Sequence, residues 1–96
     1  MAYLESRDYS PWETVVTMWL IDDLSEVVLA QINRGRDSIT IHNGQGVLFV
    51  KYGPGVSPTS FTHRLTNNTT LCESTYSGVI TAIKDTGSTQ VVVTEA

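Results

Sequence analysis

Short runs of alternating apolar and polar residues are broken about every eight to twelve residues by Gly, Pro, Asn or Asp, the rhythm of an all-β sandwich or barrel. The runs predict strands over 14–21, 26–32, 38–42, 46–52, 62–65, 69–73, 78–84 and 90–94. Val, Ile, Thr and aromatic residues dominate them, and these side chains pack well on a pleated surface. The best helix candidate is 23–32, where Asp22 or Ser25 is placed to cap. Its Val27, Val28 and Ile32 are β-branched and stiff in a helix, so a strand is preferred and a short helix is the alternative. Eight short strands predict an all-β fold, a jelly-roll-like sandwich of two antiparallel sheets. Asn43-Gly44, Asn67-Asn68 and residues 85–88 predict hairpin turns, because Asn and Gly tolerate positive φ. Residues 53–58 predict a longer loop stiffened by Pro54 and Pro58.

Residues 1–13 do not read as a strand. Pro11 forces extension at Ser10, and Tyr3, Leu4, Tyr9 and Trp12 are scattered among charged residues. The division expected is an extended N-terminal arm over 1–13 and a sandwich over 14–96. An aromatic arm of this kind is expected to lie on something, either its own domain or a neighbour.

Several strands are apolar on both faces. In 38–52, Ile39, Ile41, Leu48, Val50 and Tyr52 are assigned to the core, which sends Val47 and Phe49 outward. The runs Val15-Val16, Met18-Trp19-Leu20-Ile21, Val27-Val28-Leu29 and Val91-Val92-Val93 repeat the pattern. A two-layer sandwich has only two inner faces. Some of these side chains must therefore meet the arm or another subunit, and each large one buried is worth roughly 1.5–3 kcal/mol.

The 96 residues make one domain with one modest core. The net charge of −4 and six basic residues argue against nucleic acid as a partner, since phosphate binding needs a clustered Lys/Arg face. Arg34 and Arg36 are near neighbours, but Asp37 follows them, and a solvated turn is the expectation. No run approaches the ~20 apolar residues that span a bilayer, so no membrane is expected. The N-terminus lacks a signal-peptide core and Cys72 is the sole cysteine, which fits a reducing cytoplasm and leaves no intrachain disulfide. Asn67 and Asn68 fall in glycosylation-type triplets, and without a secretion signal they read as a turn.

Candidate chemistry is sparse. His42, His63 and Cys72 do not stand at ligand spacing, and a buried Cys with two ordinary polar histidines is the expectation. Asp22, Asp23 and Glu26 are interrupted by Leu24 and read as a turn rather than a cation site. Gly44-Gln45-Gly46 and Gly53-Pro54-Gly55 are too short to cradle phosphate. No catalytic residue, metal or cofactor is assigned, and the chain is not expected to be an enzyme.

Five elements carry a family resemblance: SITIHNGQG from residue 38, VLFVKYGPGVS from 47, SFT from 60, YSGVITAI from 76 and VVTE from 92. Together they resemble small structural proteins of tailed bacteriophages, in which "LTIYN", "LYVKFGxGVS", "FTVKL", "YTGxIxGI" and "VTE" follow in that order. The resemblance spans roughly residues 34–95. It implies a virion component of β-sandwich fold, such as a capsid cement or decoration protein, assembled in the host cytoplasm. The family often has a "LAPGxYYEVP" turn where this chain has LTNNTTLCES from residue 65, so the chemistry of that tip differs.

The function expected is structural: binding to the outer capsid surface through apolar and strand-edge contacts, with the major capsid protein, copies of the chain itself as a dimer or trimer, or both as partners. Tyr3, Tyr9, Trp12, Val47, Phe49 and Phe61 are the candidate interface residues, since aromatics dominate interface energetics. The alternative is a tail, fibre or neck component or a carbohydrate-binding module, with Trp19 or Tyr76 stacking on sugar.

Overall fold

The computed structural model describes residues 2–9, 15–22 and 26–96, of which 2–9 and 15 are described by backbone alone. These hold nine strands: β1 (Ala2–Tyr9), β2 (Val15–Asp22), β3 (Val27–Ala30), β4 (Ile39–Asn43), β5 (Leu48–Tyr52), β6 (His63–Leu65), β7 (Thr69–Glu73), β8 (Ile80–Lys84) and β9 (Ser88–Glu95). There is no helix among the described residues, and the segment with a helical alternative holds strand β3.

The strands form a five-stranded sheet, β1-β2-β9-β4-β7, and a four-stranded sheet, β3-β8-β5-β6. Every strand pairing is antiparallel. Strands β2 to β9 supply the eight strands of a jelly roll. Strand β1 is added at the edge beside β2, with Tyr3 opposite Leu20 and Tyr9 opposite Val15. The segment read as an arm therefore contains a strand over 2–9, laid on its own sheet. Backbone pairing with an open edge outweighs the weak strand propensity of its charged residues. Trp12 lies outside the described residues.

Strand positions follow the predicted ones closely, but the turns do different work. Only β1–β2 and β5–β6 join neighbours in one sheet; every other connection crosses from one sheet to the other. The turns after Asn43, at Asn67-Asn68 and at residues 85–88 are thus corners rather than hairpins. Positive φ at Gly46 (71°), Asn68 (53°) and Gly87 (75°) serves a corner as well as a hairpin, so turn chemistry alone does not identify the strand partner. Asn43 is fully buried and ties these corners together. Its Nδ2 donates to the carbonyls of Gly46 (2.8 Å), Leu65 (3.2 Å) and Thr66 (2.9 Å), while its Oδ1 accepts from Thr89 Oγ1 at 2.8 Å. At Gly46 an added Cβ would also overlap the Lys84 ammonium.

The core lies between the sheets. Ile21, Ile39, Ile41, Val91 and Val93 from one sheet meet Leu29, Leu48, Val50, Leu65, Ile80 and Ala82 from the other. The inward assignment of Ile39, Ile41, Leu48 and Val50 is correct, and half-buried Tyr52 packs against the same cluster.

Candidate interaction surfaces

The outward face of β5 is covered by the chain itself. Residues 53–62 fold back over the four-stranded sheet and close a second, small core of Phe49, Val56 and Ile83, with half-buried Val47 at its margin. Phe61 lies against Phe49, with ring centroids 4.9 Å apart and planes tilted by 47°. Polar contacts fix the flap along its length. Glu26 accepts from the backbone N–H groups of Gly55 (2.9 Å) and Val56 (3.0 Å). Lys51 Nζ donates to Ser60 Oγ at 2.6 Å, Thr81 Oγ1 donates to the Gly53 carbonyl at 2.6 Å, and Thr62 N donates to Val50 O at 2.7 Å.

This corrects the expectation for Phe49. Its side chain is 7% exposed, buried by the flap rather than presented to a partner. A third cover, the chain's own long loop, was absent from the choice between arm and neighbour. Phe61 remains 42% exposed. The candidate residues do not converge: Tyr3 and Tyr9 are on β1, while Val47, Phe49 and Phe61 border the flap on the other sheet.

The outer face of the five-stranded sheet is apolar where β2 meets β9. Alternation along β2 turns Thr17, Trp19 and Ile21 inward and Val16, Met18 and Leu20 outward. Met18 is directly opposite Val92, and Val92 is opposite His42 on the far side. Val16, Met18, Leu20 and Val92 are all half-buried, leaving an apolar stripe at the surface. Beyond it the face turns polar, with Thr40 and His42 on β4 and Thr70 and Cys72 on β7. His42 Nδ1 and Thr70 Oγ1 are 2.8 Å apart. Cys72 is exposed, contrary to the buried thiol expected, because it sits on the outward side of an edge strand. The doubled apolar pattern of 15–21 pointed to this stripe, although none of its residues was among the candidates.

Two polar clusters close the opposite end of the sandwich. Arg36 was expected in a solvated turn, but its side chain is 1% exposed. Its Nε contacts Glu95 Oε2 at 3.0 Å, and its remaining nitrogens donate to the carbonyls of Gln31, Tyr76 and Gly78. Nearby, Glu73 accepts from Thr75 Oγ1 (2.6 Å), Thr75 N (2.7 Å), Tyr76 N (3.1 Å) and the Tyr52 hydroxyl (2.9 Å). Tyr52 and Tyr76 stack with centroids 4.8 Å apart and planes 11° from parallel. Burial, and then the Glu73 contact, push the Tyr52 hydroxyl above the usual phenol range. Hydrogen bonds from Thr75, then Tyr52 and Tyr76, hold the Glu73 carboxyl down to about 2.

The sign of that shift fixes a pH dependence. The native state binds the Glu73 proton less tightly than the unfolded chain does, so the contribution is complete above the ordinary value of 4.5 and is lost as pH falls toward 2. Urea midpoints measured across that window are expected to fall more steeply for the native sequence than for Glu73→Gln. Parallel profiles would remove Glu73 as a source of acid sensitivity.

His42 and His63 lie in different sheets. No group of three or more His, Cys, Asp or Glu side chains is placed to hold a metal ion among the described residues. An open depression of about 360 Å³ is lined by Gly46, Val47, Thr66 and Asn67. None of those four is a titratable residue. No described helix is long and apolar enough to cross a membrane. No protein-family model, curated protein or solved structure matches the chain.

Proposed function

We propose that the chain is a structural virion protein of a tailed bacteriophage, a cement or decoration protein that docks on the outer surface of the assembled capsid. The observation that carries the docking part is the stripe of Val16, Met18, Leu20 and Val92, contiguous and partly exposed on the broad outer face of the five-stranded sheet, whereas on the other sheet the flap covers Phe49 and Ile83 and leaves Val28 and Phe61 exposed singly. Such a stripe with polar surroundings is the usual composition of a protein-binding face. The phage assignment rests on the ordered motif resemblance. Its elements fall on β4, on β5 with the flap, on β8 and on β9, the strands that frame the core.

Met18→Glu tests the docking face. A carboxylate at the centre of the stripe is expected to reduce co-sedimentation with purified capsids by tenfold or more, about 1.4 kcal/mol of binding. Circular dichroism and the melting midpoint should stay near those of the native sequence, because the position is outward. Undiminished co-sedimentation would remove the stripe from the interface, and native protein that leaves capsids bare would remove the cement role.

The sugar-binding alternative gains nothing from the aromatics named for it. Trp19 packs against the core, and Tyr76 has one face taken by Tyr52.

A further inference from the structure

The four edge strands are not equally protected. Strand β1 carries Glu5, Arg7 and Asp8 and has a register shift between Leu4 and Ser6. Strand β3 is four residues long with a shift between Val28 and Ala30, and β6 is three residues long and contains Arg64. Short length, bulges and charge are the devices that discourage pairing with another chain. Strand β7 is longer than β3 or β6, has no bulge, and has its one charge engaged within the chain. It runs for five residues in unbroken register with β4 and contains no Lys, Arg, Pro or Gly. Its single charge, Glu73, is folded back onto Thr75, Tyr76 and Tyr52. Among the described residues β7 pairs with no strand other than β4.

We propose that β7 is a self-association edge, on which a second copy of this chain pairs its own β7 antiparallel about a two-fold axis at Leu71. The occupant follows from the register. Centring on Leu71, the middle residue of the strand, is the one alignment that pairs all five residues of both copies. It sets Leu71 against Leu71 of the partner subunit, Thr70 against Cys72 of the partner subunit, and Thr69 against Glu73 of the partner subunit. No like charges face each other, and the outward residues Thr70 and Cys72 are already exposed. The result joins two five-stranded sheets into one continuous sheet through a closed, isologous contact.

A five-residue ribbon buries far less than the roughly 1,000 Å² expected of a stable interface. The pairing is therefore weak in free solution and fills when copies are held close together, as on a repeating surface. It supplies the self-association part of the reading above without depending on the capsid, and it is tested on the free protein.

The test mixes two single-thiol proteins under mild oxidation: the native chain, whose thiol is Cys72, and the double variant T70C/C72S. In the proposed register these two thiols are opposite each other, with Cα atoms roughly 4.5–5.5 Å apart, within disulfide reach. Two Cys72 residues lie diagonally, roughly 8 Å apart, which is beyond it. A disulfide-linked heterodimer in clear excess over both homodimers is expected on non-reducing gels. Sedimentation equilibrium at high concentration should show dimer for the native chain and loss of it for Thr70→Lys. Homodimers as abundant as heterodimer, no cross-linked dimer from folded proteins, or undiminished dimer with Thr70→Lys would each overturn the proposal. Capsid binding is not read in this experiment, so its failure leaves the docking face to be judged by Met18→Glu.

Discussion

Arg36→Met is expected to cost about 3 kcal/mol of folding stability, the low end of the range for removing one partner of a buried ion pair, because Arg36 is buried while Glu95 stays 21% exposed. Among the described residues, the guanidinium alone joins Glu95 on β9 to the carbonyls of Gln31, Tyr76 and Gly78. Removing it leaves three part-buried carbonyl oxygens without this donor and leaves Glu95, 21% exposed, with the longer contact from Asn33 Nδ2 at 3.4 Å; a buried polar group that loses its partner costs about 1–3 kcal/mol before water relieves it. A domain of this size loses roughly 4–8 °C in melting midpoint per kcal/mol, so thermal denaturation reads the effect easily. Arg36→Lys should recover little, because one ammonium cannot reproduce the planar fork. Glu95→Gln should cost less than Arg36→Met, since an amide oxygen still accepts from Nε and the carbonyls keep their partners. A Met variant within about 1 kcal/mol of the native protein would show that water satisfies these groups and that Arg36 ties little together.

Phe49→Ala is expected to cost about 3–5 kcal/mol, the range for a buried aromatic truncated to a methyl group. The ring sits between β8 and the flap, against Ile83, Val56 and Phe61. Its loss leaves the flap held by its polar contacts over a void. Phe61→Ala, by contrast, removes a ring that is 42% exposed and should cost about 1 kcal/mol. The ratio between the two variants in urea denaturation separates a core residue from a contact residue. If Phe49→Ala keeps native stability and loses only binding to a larger assembly, the residue belongs to an interface and the flap opens to expose it.

Strand positions were legible because β structure is written locally, in runs of Val, Ile and Thr with period two, as 69–73 illustrates by matching β7 residue for residue. The jelly-roll architecture was legible from strand number and spacing. The corners were not, since Asn43-Gly44 carries the same local signal whether the next strand stays in the sheet or leaves it. Arg36 was not legible because its partner Glu95 is 59 residues away and nothing near Arg36 distinguishes it from exposed Arg34. Phe49 was half legible. The doubled apolar pattern marked a covered face, but a loop with two prolines gave no sign that it would supply the cover. For 2–9, charged composition concealed a strand whose pairing depends on the edge that β2 offers.

Strand β9 lies between β2 and β4 in the five-stranded sheet, although it is the last of the nine in chain order. During synthesis, β2 and β4 therefore wait without their shared neighbour until residues 88–95 have left the ribosome. A nascent chain stalled before that point would have the apolar inner sides of both strands open to chaperones. Folding of this sheet is completed only when β9 arrives between its two waiting neighbours.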